Sequence, residues 1–410
     1  MTDDTEQDLI DAIARADDPI PPSLALAEWL KSQDDPAAAA RSELIALQAA
    51  TLRGTAKKTD ERRCRALIKQ HLDAWTDGLA SRLGLDVRLH LGFVDAFTIP
   101  SDAPELRDDP LGAFMDLFEH PLFRFARAAD IGVFGDPEES GDQNGEYAHY
   151  ELTPLFDAIH EAFLSEDEDD DEPPRAAPLQ ALTLGFPDRP RWRPRCGVGR
   201  SRRFVFAQAN VTLGDATAQL TNLRALTLRC RPDDPHSLAD LAERLVRFEH
   251  RPPISYDSHR SLFYDLARPD WPQLEHLAVG RTWYEDWGDG DRTWGRKSGC
   301  RADQLARVLS GEAMPRLTHL AFHHTDLADD LAEAIAASPL ARQLTDLSFA
   351  HSPLTERGVA ALVAGAAAFE RLAVLDLQFS GLDAPALARL RDALPSAAHV
   401  EIHPYCIEGK

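Results

Sequence analysis

The sequence predicts an α/β solenoid, in which repeated strand–helix units stack so that parallel strands line a concave face and helices cover the convex face. Two observations predict this fold. An apolar strand motif recurs in the last third of the 410-residue chain at intervals of 27 and 28 residues, and a helical pattern follows each copy. The first 80 residues show helical patterns without the motif, which we interpret as a cap over one end of the solenoid.

Each copy of the motif has apolar residues at its first, fourth and sixth positions and a hydroxyl residue at its ninth. Alternate residues of a strand point to the same side, so two of these apolar residues point inward together. The apolar residues of the following helix are three and four positions apart and form one stripe. A single unit cannot bury both surfaces, and the units must therefore stack. Three consecutive copies begin at Leu317, Leu344 and Leu372, with Thr325, Ser352 and Ser380 at the ninth position.

Looser copies of the motif extend the solenoid toward the N-terminus. They begin at Leu179, Leu223 and Leu274, and weaker strand candidates lie at 97–99 and 131–133. Intervals of 43 to 51 residues separate the copies that begin at Leu179, Leu223, Leu274 and Leu317, so we expect insertions, which should form loops. The predicted layout is a helical domain at 1–80, irregular first repeats with an acidic loop at 81–178, and repeats at 179–410 with insertions at 185–220 and 280–300.

The repeats resemble the ribonuclease-inhibitor-like subclass of leucine-rich repeats in unit length and in the helices on the outer side. A second set of residues lies upstream: Ala27-Glu28-Trp29-Leu30, Asp35-Pro36, Arg41-Ser42-Glu43-Leu44-Ile45-x-Leu47-Gln48 and the turn Leu91-Gly92-Phe93-Val94. With these, residues 6–53 are similar to the repeat-companion domain that precedes leucine-rich repeats in bacteria such as myxobacteria and planctomycetes. Glu28 stands where that family more often has Asp. The resemblance implies a domain layout in a bacterial protein, but no catalytic residues.

The net charge, the cysteine positions and the lack of long apolar runs argue against several classes of protein. With 44 basic and 68 acidic residues the net charge is −24, and an acidic surface repels phosphate backbones, so nucleic-acid binding is not expected. The five cysteines are scattered, which argues against a disulfide framework and against a C-x-x-C metal site. No apolar run is long enough for a membrane helix, and the N-terminus lacks a secretory signal pattern. We therefore predict a cytoplasmic protein without cofactors and without membrane contact.

The repeat register predicts which side chains face the concave side, because strands are about 4.8 Å apart and their residues alternate between faces. His276, His319 and Asp346 should form one row across adjacent strands. Such a row is compatible with a metal site, a general base or a pH-sensitive partner surface. The row is nearly straight, which favours a solvated polar ladder with one His–carboxylate contact. The predicted partner-binding residues of this face are His276, His319, His323, Asp346, Asp376, Gln378, Glu401 and His403.

Two inserted segments carry further groups that could contact a partner. Four large aromatic residues follow the strand motif at 274–279, and such residues either pack over neighbouring repeats or anchor a partner. Seven arginines cluster at 189–203, and this cluster either pairs with the acidic run at 166–172 or binds a partner surface. The candidate contacts from these segments are Trp283, Tyr284, Trp287 and Trp294, with Arg191, Trp192 and Arg193.

The chain contains no phosphate-binding glycine motif and no H-E-x-x-H zinc motif. We therefore predict a non-catalytic protein–protein interaction module, monomeric or part of a hetero-complex, that binds a macromolecular partner through the concave face and the inserted loops. Two alternatives stay open. Fold analogy with an activator of a nuclear-transport GTPase suggests a regulator of a small GTPase or other enzyme. A metal-dependent hydrolase could use the His/Asp row.

Overall fold

A computed structural model of the chain shows a mixed α/β fold, in which a helical N-terminal part precedes a long parallel sheet. The structure describes residues 2–101, 103, 105–134, 138–139, 147–163, 176–185, 206–232, 235–251, 266, 269–280, 307–323, 325, 327–394 and 399–401. Within these residues, no helix combines the length and the hydropathy of a membrane-spanning segment. The α-helices are α1 Thr2–Arg15, α2 Ile20–Ser32, α3 Pro36–Leu52, α4 Lys58–Trp75, α5 Leu79–Leu83, α6 Glu105–Asp108, α7 Pro110–Glu119, α8 Thr153–Ala162, α9 Pro235–Ala242, α10 Ala328–Ala336, α11 Glu356–Ala364 and α12 Ala384–Ala393.

Eleven of the described strands form one sheet in the order β1-β2-β3-β6-β8-β10-β11-β12-β13-β14-β15. The β1–β2 pair is an antiparallel hairpin, and every later pair in this sheet is parallel. The strands are β1 Asp86–His90, β2 Phe93–Ile99, β3 Ala128–Ile131, β4 Glu138–Glu139, β5 Tyr147–Glu151, β6 Ala181–Gly185, β7 Phe206–Val211, β8 Ala225–Arg229, β9 Arg231–Pro232, β10 Arg247–His250, β11 His276–Gly280, β12 His319–His323, β13 Asp346–Ser348, β14 Val374–Asp376 and β15 His399–Glu401.

Neighbouring parallel strands are paired without slippage, so equivalent motif positions lie side by side. Leu277 pairs with Leu320, Leu320 with Leu347, and Leu347 with Leu375. All four leucines are at most 2% exposed and share one core with the apolar stripes of α10, α11 and α12. A one-residue shift in the pairing of a strand would move its leucines to the other face of the sheet. The burial of these leucines therefore fixes the strand register.

The hydroxyl at the ninth motif position satisfies backbone groups where the chain leaves a strand. Ser352 is completely buried. Its hydroxyl accepts a hydrogen bond from the Thr325 amide at 3.1 Å and donates to the Phe322 carbonyl at 3.2 Å. One serine thereby joins two consecutive units.

Strand β10 is absent from the sequence prediction, and its presence corrects the predicted spacing. The motif here is Leu245-x-x-Phe248-x-His250, in which an aromatic and an imidazole ring replace leucines. Phe248 is fully buried and stacks on Trp271 with ring centroids 5.5 Å apart. His250 is 2% exposed, and its Nε2 lies 3.2 Å from the Cys230 carbonyl. The long interval between Leu223 and Leu274 therefore contains two repeats and not one repeat with an insertion.

The inserted segments do not form loops alone, which corrects a second expectation. Strands β4, β5, β7 and β9 form a separate four-stranded sheet, with β4–β5 antiparallel and β5–β7 and β7–β9 parallel. Strand β7 lies within the predicted 185–220 insertion. Its backbone groups pair with those of β5 and β9, which come from the neighbouring units, and this cross-unit pairing is not visible in the local sequence.

Two helices of the N-terminal part begin at recognisable sequence signals. Pro21 and Pro22 occupy the first turn of α2, where a missing amide donor is harmless. Asp35 caps α3 by accepting hydrogen bonds from the amides of Ala37 and Ala38. These helices place α3 directly beside the β1–β2 turn.

A cluster of side chains from α3 clamps that turn. Gln48 donates to the Leu89 carbonyl at 2.7 Å and accepts from the Gly92 amide at 2.9 Å. The buried guanidinium of Arg41 donates to the Gly92 carbonyl at 3.2 Å. Gly92 has a φ of +80°, and a Cβ there would lie 2.5 Å from Ile45 Cγ1. Only glycine fits both the left-handed conformation and the close approach of the helix.

Replacing Gln48 with alanine is expected to lower the free energy of unfolding by about 1–3 kcal/mol, because an amide and a carbonyl of the turn lose their partners. The matched control is Gln7→Ala, since Gln7 is exposed and only bonds Asp11 one helical turn away. Urea denaturation of both variants measures the difference. Equal small effects would contradict the clamp.

Candidate functional site

The sheet face opposite the helices changes its chemistry along the chain. Two rows of side chains lie on it, and backbone pairing places the members of each row on adjacent strands. On β2, β3, β6 and β8 the first row consists of alanines only, and from β10 to β13 it carries charged groups and imidazoles. The first row is Ala96, Ala128, Ala181, Ala225, Arg247, His276, His319, Asp346 and Val374. The second row is Thr98, Asp130, Thr183, Thr227, Glu249, Ala278, Ala321, Ser348 and Asp376.

A groove of about 290 Å³ lies on this face between β10 and β14, and we call it the polar groove. The floor in the middle of the groove is formed by the small side chains of two second-row residues, Ala278 and Ala321. Longer polar side chains surround these alanines. The polar groove is lined by Arg247, Glu249, Arg251, His276, Leu277, Ala278, His319, Leu320, Ala321, Asp346, Leu347, Ser348, Val374 and Asp376.

Two stacked imidazoles and a carboxylate form the first-row side of the polar groove. The rings of His276 and His319 stack with centroids 3.8 Å apart and an interplanar angle of 24°. His319 Nε2 lies 2.9 Å from Asp346 Oδ2, and the Thr345 hydroxyl donates to the same oxygen at 2.7 Å. Burial, with repulsion from His319 and Arg247, lowers the pKa of His276. The His–carboxylate contact predicted from the sequence is therefore present.

An arginine-bracketed glutamate forms the β10 end of the polar groove. Glu249 is only 7% exposed; Arg247 Nε donates to its Oε1 at 2.8 Å, and Arg251 Nη2 lies 3.0 Å from its Oε2. Burial alone would raise the pKa of Glu249, but Arg251 and Arg247 outweigh it, and this pKa lies below its ordinary value. Arg251 Nη2 is also 3.3 Å from His323 Nε2. Arg247, Glu249 and Arg251 are absent from the predicted site because β10 is absent from the predicted strands.

The β13–β14 end of the polar groove is acidic. The Ser348 hydroxyl donates to Asp376 Oδ2 at 2.9 Å, and the Gln378 amide donates to Asp376 Oδ1 at 3.0 Å. These neutral donors fix the orientation of the carboxylate without neutralising its charge. Asp346 is 32% exposed at its side chain and lies on the adjacent strand.

The structure brings together only part of the predicted site. His276, His319 and Asp346 form one row, His323 contacts Arg251, and Asp376 lies beside Gln378. The backbone of Glu401 pairs beside Asp376 in β15, but its side chain lies outside the described atoms. Outside the described residues altogether lie His403, the loop residues Trp283, Tyr284, Trp287 and Trp294, and the basic candidates Arg191, Trp192 and Arg193.

In the part of the chain that the structure describes, no group of three or more His, Cys, Asp or Glu side chains is arranged to hold a metal ion. His319 illustrates the reason. Its Nε2 faces Asp346, and its Nδ1 lies 2.8 Å from the Thr318 hydroxyl. The stacked His276 ring lies parallel to it, so the nitrogen lone pairs of the two rings do not converge on one point.

Acidification is expected to lower the melting temperature as the pH falls through the ordinary histidine pKa of about 6.5. Burial is the first cause that lowers the pKa values of His120, His276 and His351. The unfolded chain therefore binds more protons than the folded chain, and stability present above this pH is lost below it. Calorimetry between about pH 7.5 and about pH 5.5 measures the slope in the histidine range. His276→Asn should make this slope smaller, and a melting temperature that rises on acidification would contradict the expected loss of stability.

Two solved structures show a remote likeness to the chain. No protein-family model matches the chain, and no curated protein matches it. A solved structure of a Bacteroides fragilis protein is 17% identical with a TM-score of 0.45, and the alignment covers 71% of each chain. InlP of Listeria monocytogenes is 13% identical with a TM-score of 0.28, over 75% of this chain and 63% of InlP. At TM-scores below 0.5, these likenesses assign no function.

Proposed function

We propose that this chain is a leucine-rich-repeat solenoid with a repeat-companion cap, and that it binds a protein partner through the concave face of its sheet and is not an enzyme. The observation that carries the proposal is the continuous in-register sheet with the polar groove on its open face. Repeat proteins use such extended faces for binding. The clamp of Arg41 and Gln48 on the turn at Gly92 supports the cap, because it joins the two sequence segments on which that resemblance rests.

The distribution of polar groups in the groove favours binding over catalysis. Catalysis requires groups that converge on one reacting atom. The groove instead holds separate contacts spread over five strands, such as His319 with Asp346 and Ser348 with Asp376. Polar groups held in fixed orientations at separate places can each meet a different group of a partner, which gives specificity and orientation.

Affinity capture from a lysate of the native cell tests the proposal with two matched variants. Ala321→Arg places a long cationic side chain on the floor of the polar groove. Ala360→Arg makes the same exchange at an exposed position of helix α11, on the other side of the sheet. Circular dichroism verifies that both variants fold.

We expect Ala321→Arg to reduce recovery of the specific partner by more than about tenfold, because it fills the contact surface and leaves unpaired charge at the interface. Ala360→Arg should recover the partner as the unaltered protein does. Unchanged recovery with Ala321→Arg, or an equal loss with folded Ala360→Arg, would contradict binding through this face.

A further inference from the structure

In the polar groove the first row carries a cation on β10 and an anion on β13. Pairing places Arg247, His276, His319 and Asp346 side by side on four adjacent strands. The Arg247 side chain is 53% exposed, and that of Asp346 is 32% exposed. At the β10 end Arg251 is a second cation, so the two arginines outnumber the Glu249 carboxylate between them, and Asp376 is a second anion near Asp346. From β10 to β13 the row therefore consists of a cation, two imidazoles and an anion, in that order.

The spacing of these charges matches an extended polypeptide. Three strand intervals of about 4.8 Å separate Arg247 from Asp346, which gives about 14 Å. An extended chain rises about 3.3 Å per residue, so four residues span about 13 Å. The stacked rings of His276 and His319 and the floor of Ala278 and Ala321 lie between the two charges, where the segment would run across the strands.

We propose that the polar groove binds an extended protein segment with one acidic and one basic side chain four residues apart. The inference rests on the proposed function, and it names the chemistry of the partner. The acidic side chain pairs with Arg247, and the basic one pairs with Asp346 and Asp376. The residues between them pack on the imidazole pair, where flat rings and small alanines accept apolar or planar groups. The segment can bind in either chain direction, because the groove recognises the positions of its charged side chains and makes no proposed contact with its backbone.

A displayed library of random nine-residue peptides, selected on the full chain, tests the inference. We expect acid–base pairs four positions apart to be enriched more than about tenfold over pairs at other spacings, because like charges facing each other at either end are strongly unfavourable. Asp346→Lys converts the row to cation, imidazole, imidazole, cation, and it should shift the selected pairs to two acids at the same spacing. Asp392→Lys, at an exposed position of α12, is the control and should keep the acid–base preference.

The outcomes separate the two proposals. Selected peptides without the four-residue pairing, or with the same pairing on Asp346→Lys, would overturn this inference. If those peptides, and the captured native partner, are still lost on Ala321→Arg, binding through the face stands and only the partner chemistry is wrong. If no peptide is retained above the Ala321→Arg background, an extended segment is excluded as the occupant.

Discussion

Replacing Phe349 with alanine is expected to lower the free energy of unfolding by about 3–5 kcal/mol. Phe349 follows β13, is completely buried, and stacks on Phe322 of the preceding unit with ring centroids 6.0 Å apart. Its loss opens a cavity between two stacked units, and the neighbouring strands cannot close it because their backbones are fixed by pairing on both sides. Denaturant unfolding monitored by circular dichroism measures the effect.

Two further variants show whether the loss comes from packing. Phe349→Leu keeps an apolar side chain in the gap and should cost less than about 1.5 kcal/mol. Leu52→Ala removes an apolar side chain that is 50% exposed, and such surface exchanges change stability by about 0.5 kcal/mol or less. If Phe349→Ala were as mild as Leu52→Ala, the continuous core between units would not exist.

Replacing Gly280 with alanine is expected to cost about 3 kcal/mol, at the upper end of the usual range for overpacking. A Cβ at this position would lie 2.2 Å from the carbonyl oxygen of His323 and 2.8 Å from its backbone nitrogen. Because the clash is with backbone, rotation of a side chain cannot relieve it, and β11 and β12 must move apart. These two strands carry the stacked imidazoles of the polar groove, so the movement should also disturb binding.

Gly381→Ala is the matched control for that exchange. Gly381 has a φ of +78° with open space around its Cβ position, so alanine there should cost only the left-handed conformation, about 1–2 kcal/mol. Hydrogen exchange adds a local measurement, since the β12 amides should lose protection in Gly280→Ala and keep it in Gly381→Ala. Equal stability and equal protection in the two variants would contradict the close strand approach at Gly280.

The accuracy of the sequence prediction depends on the residues at the inward positions. The repeats that begin at Leu317, Leu344 and Leu372 were predictable because leucine or phenylalanine fills those positions. The repeat at β10 was not, because His250 is polar by residue type, although the fold buries it beside the Cys230 carbonyl. Missing this one strand removed Arg247, Glu249 and Arg251 from the predicted site.

Contacts between side chains were harder to predict than rows. The register places His319 beside Asp346, and their contact follows from adjacency alone. The ring stacking of His276 on His319 and the bond from Ser348 to Asp376 depend on rotamers, which the sequence does not specify. In the same way, the motif with Arg41 and Gln48 was visible in the sequence, but its contact with the turn at Gly92 was visible only in the structure.

The polar groove and the proposed binding face both require that the parallel strands stack in register, with His276 and His319 side by side on the open face. Nuclear Overhauser spectroscopy on protein labelled only in its 15 histidines tests it most directly. Ring centroids 3.8 Å apart predict a strong ring-to-ring cross-peak between these two residues, which disappears in His276→Asn. Absence of that cross-peak in the unaltered folded protein would show that the strands are not in this register, and would contradict both the polar groove and the proposed binding face.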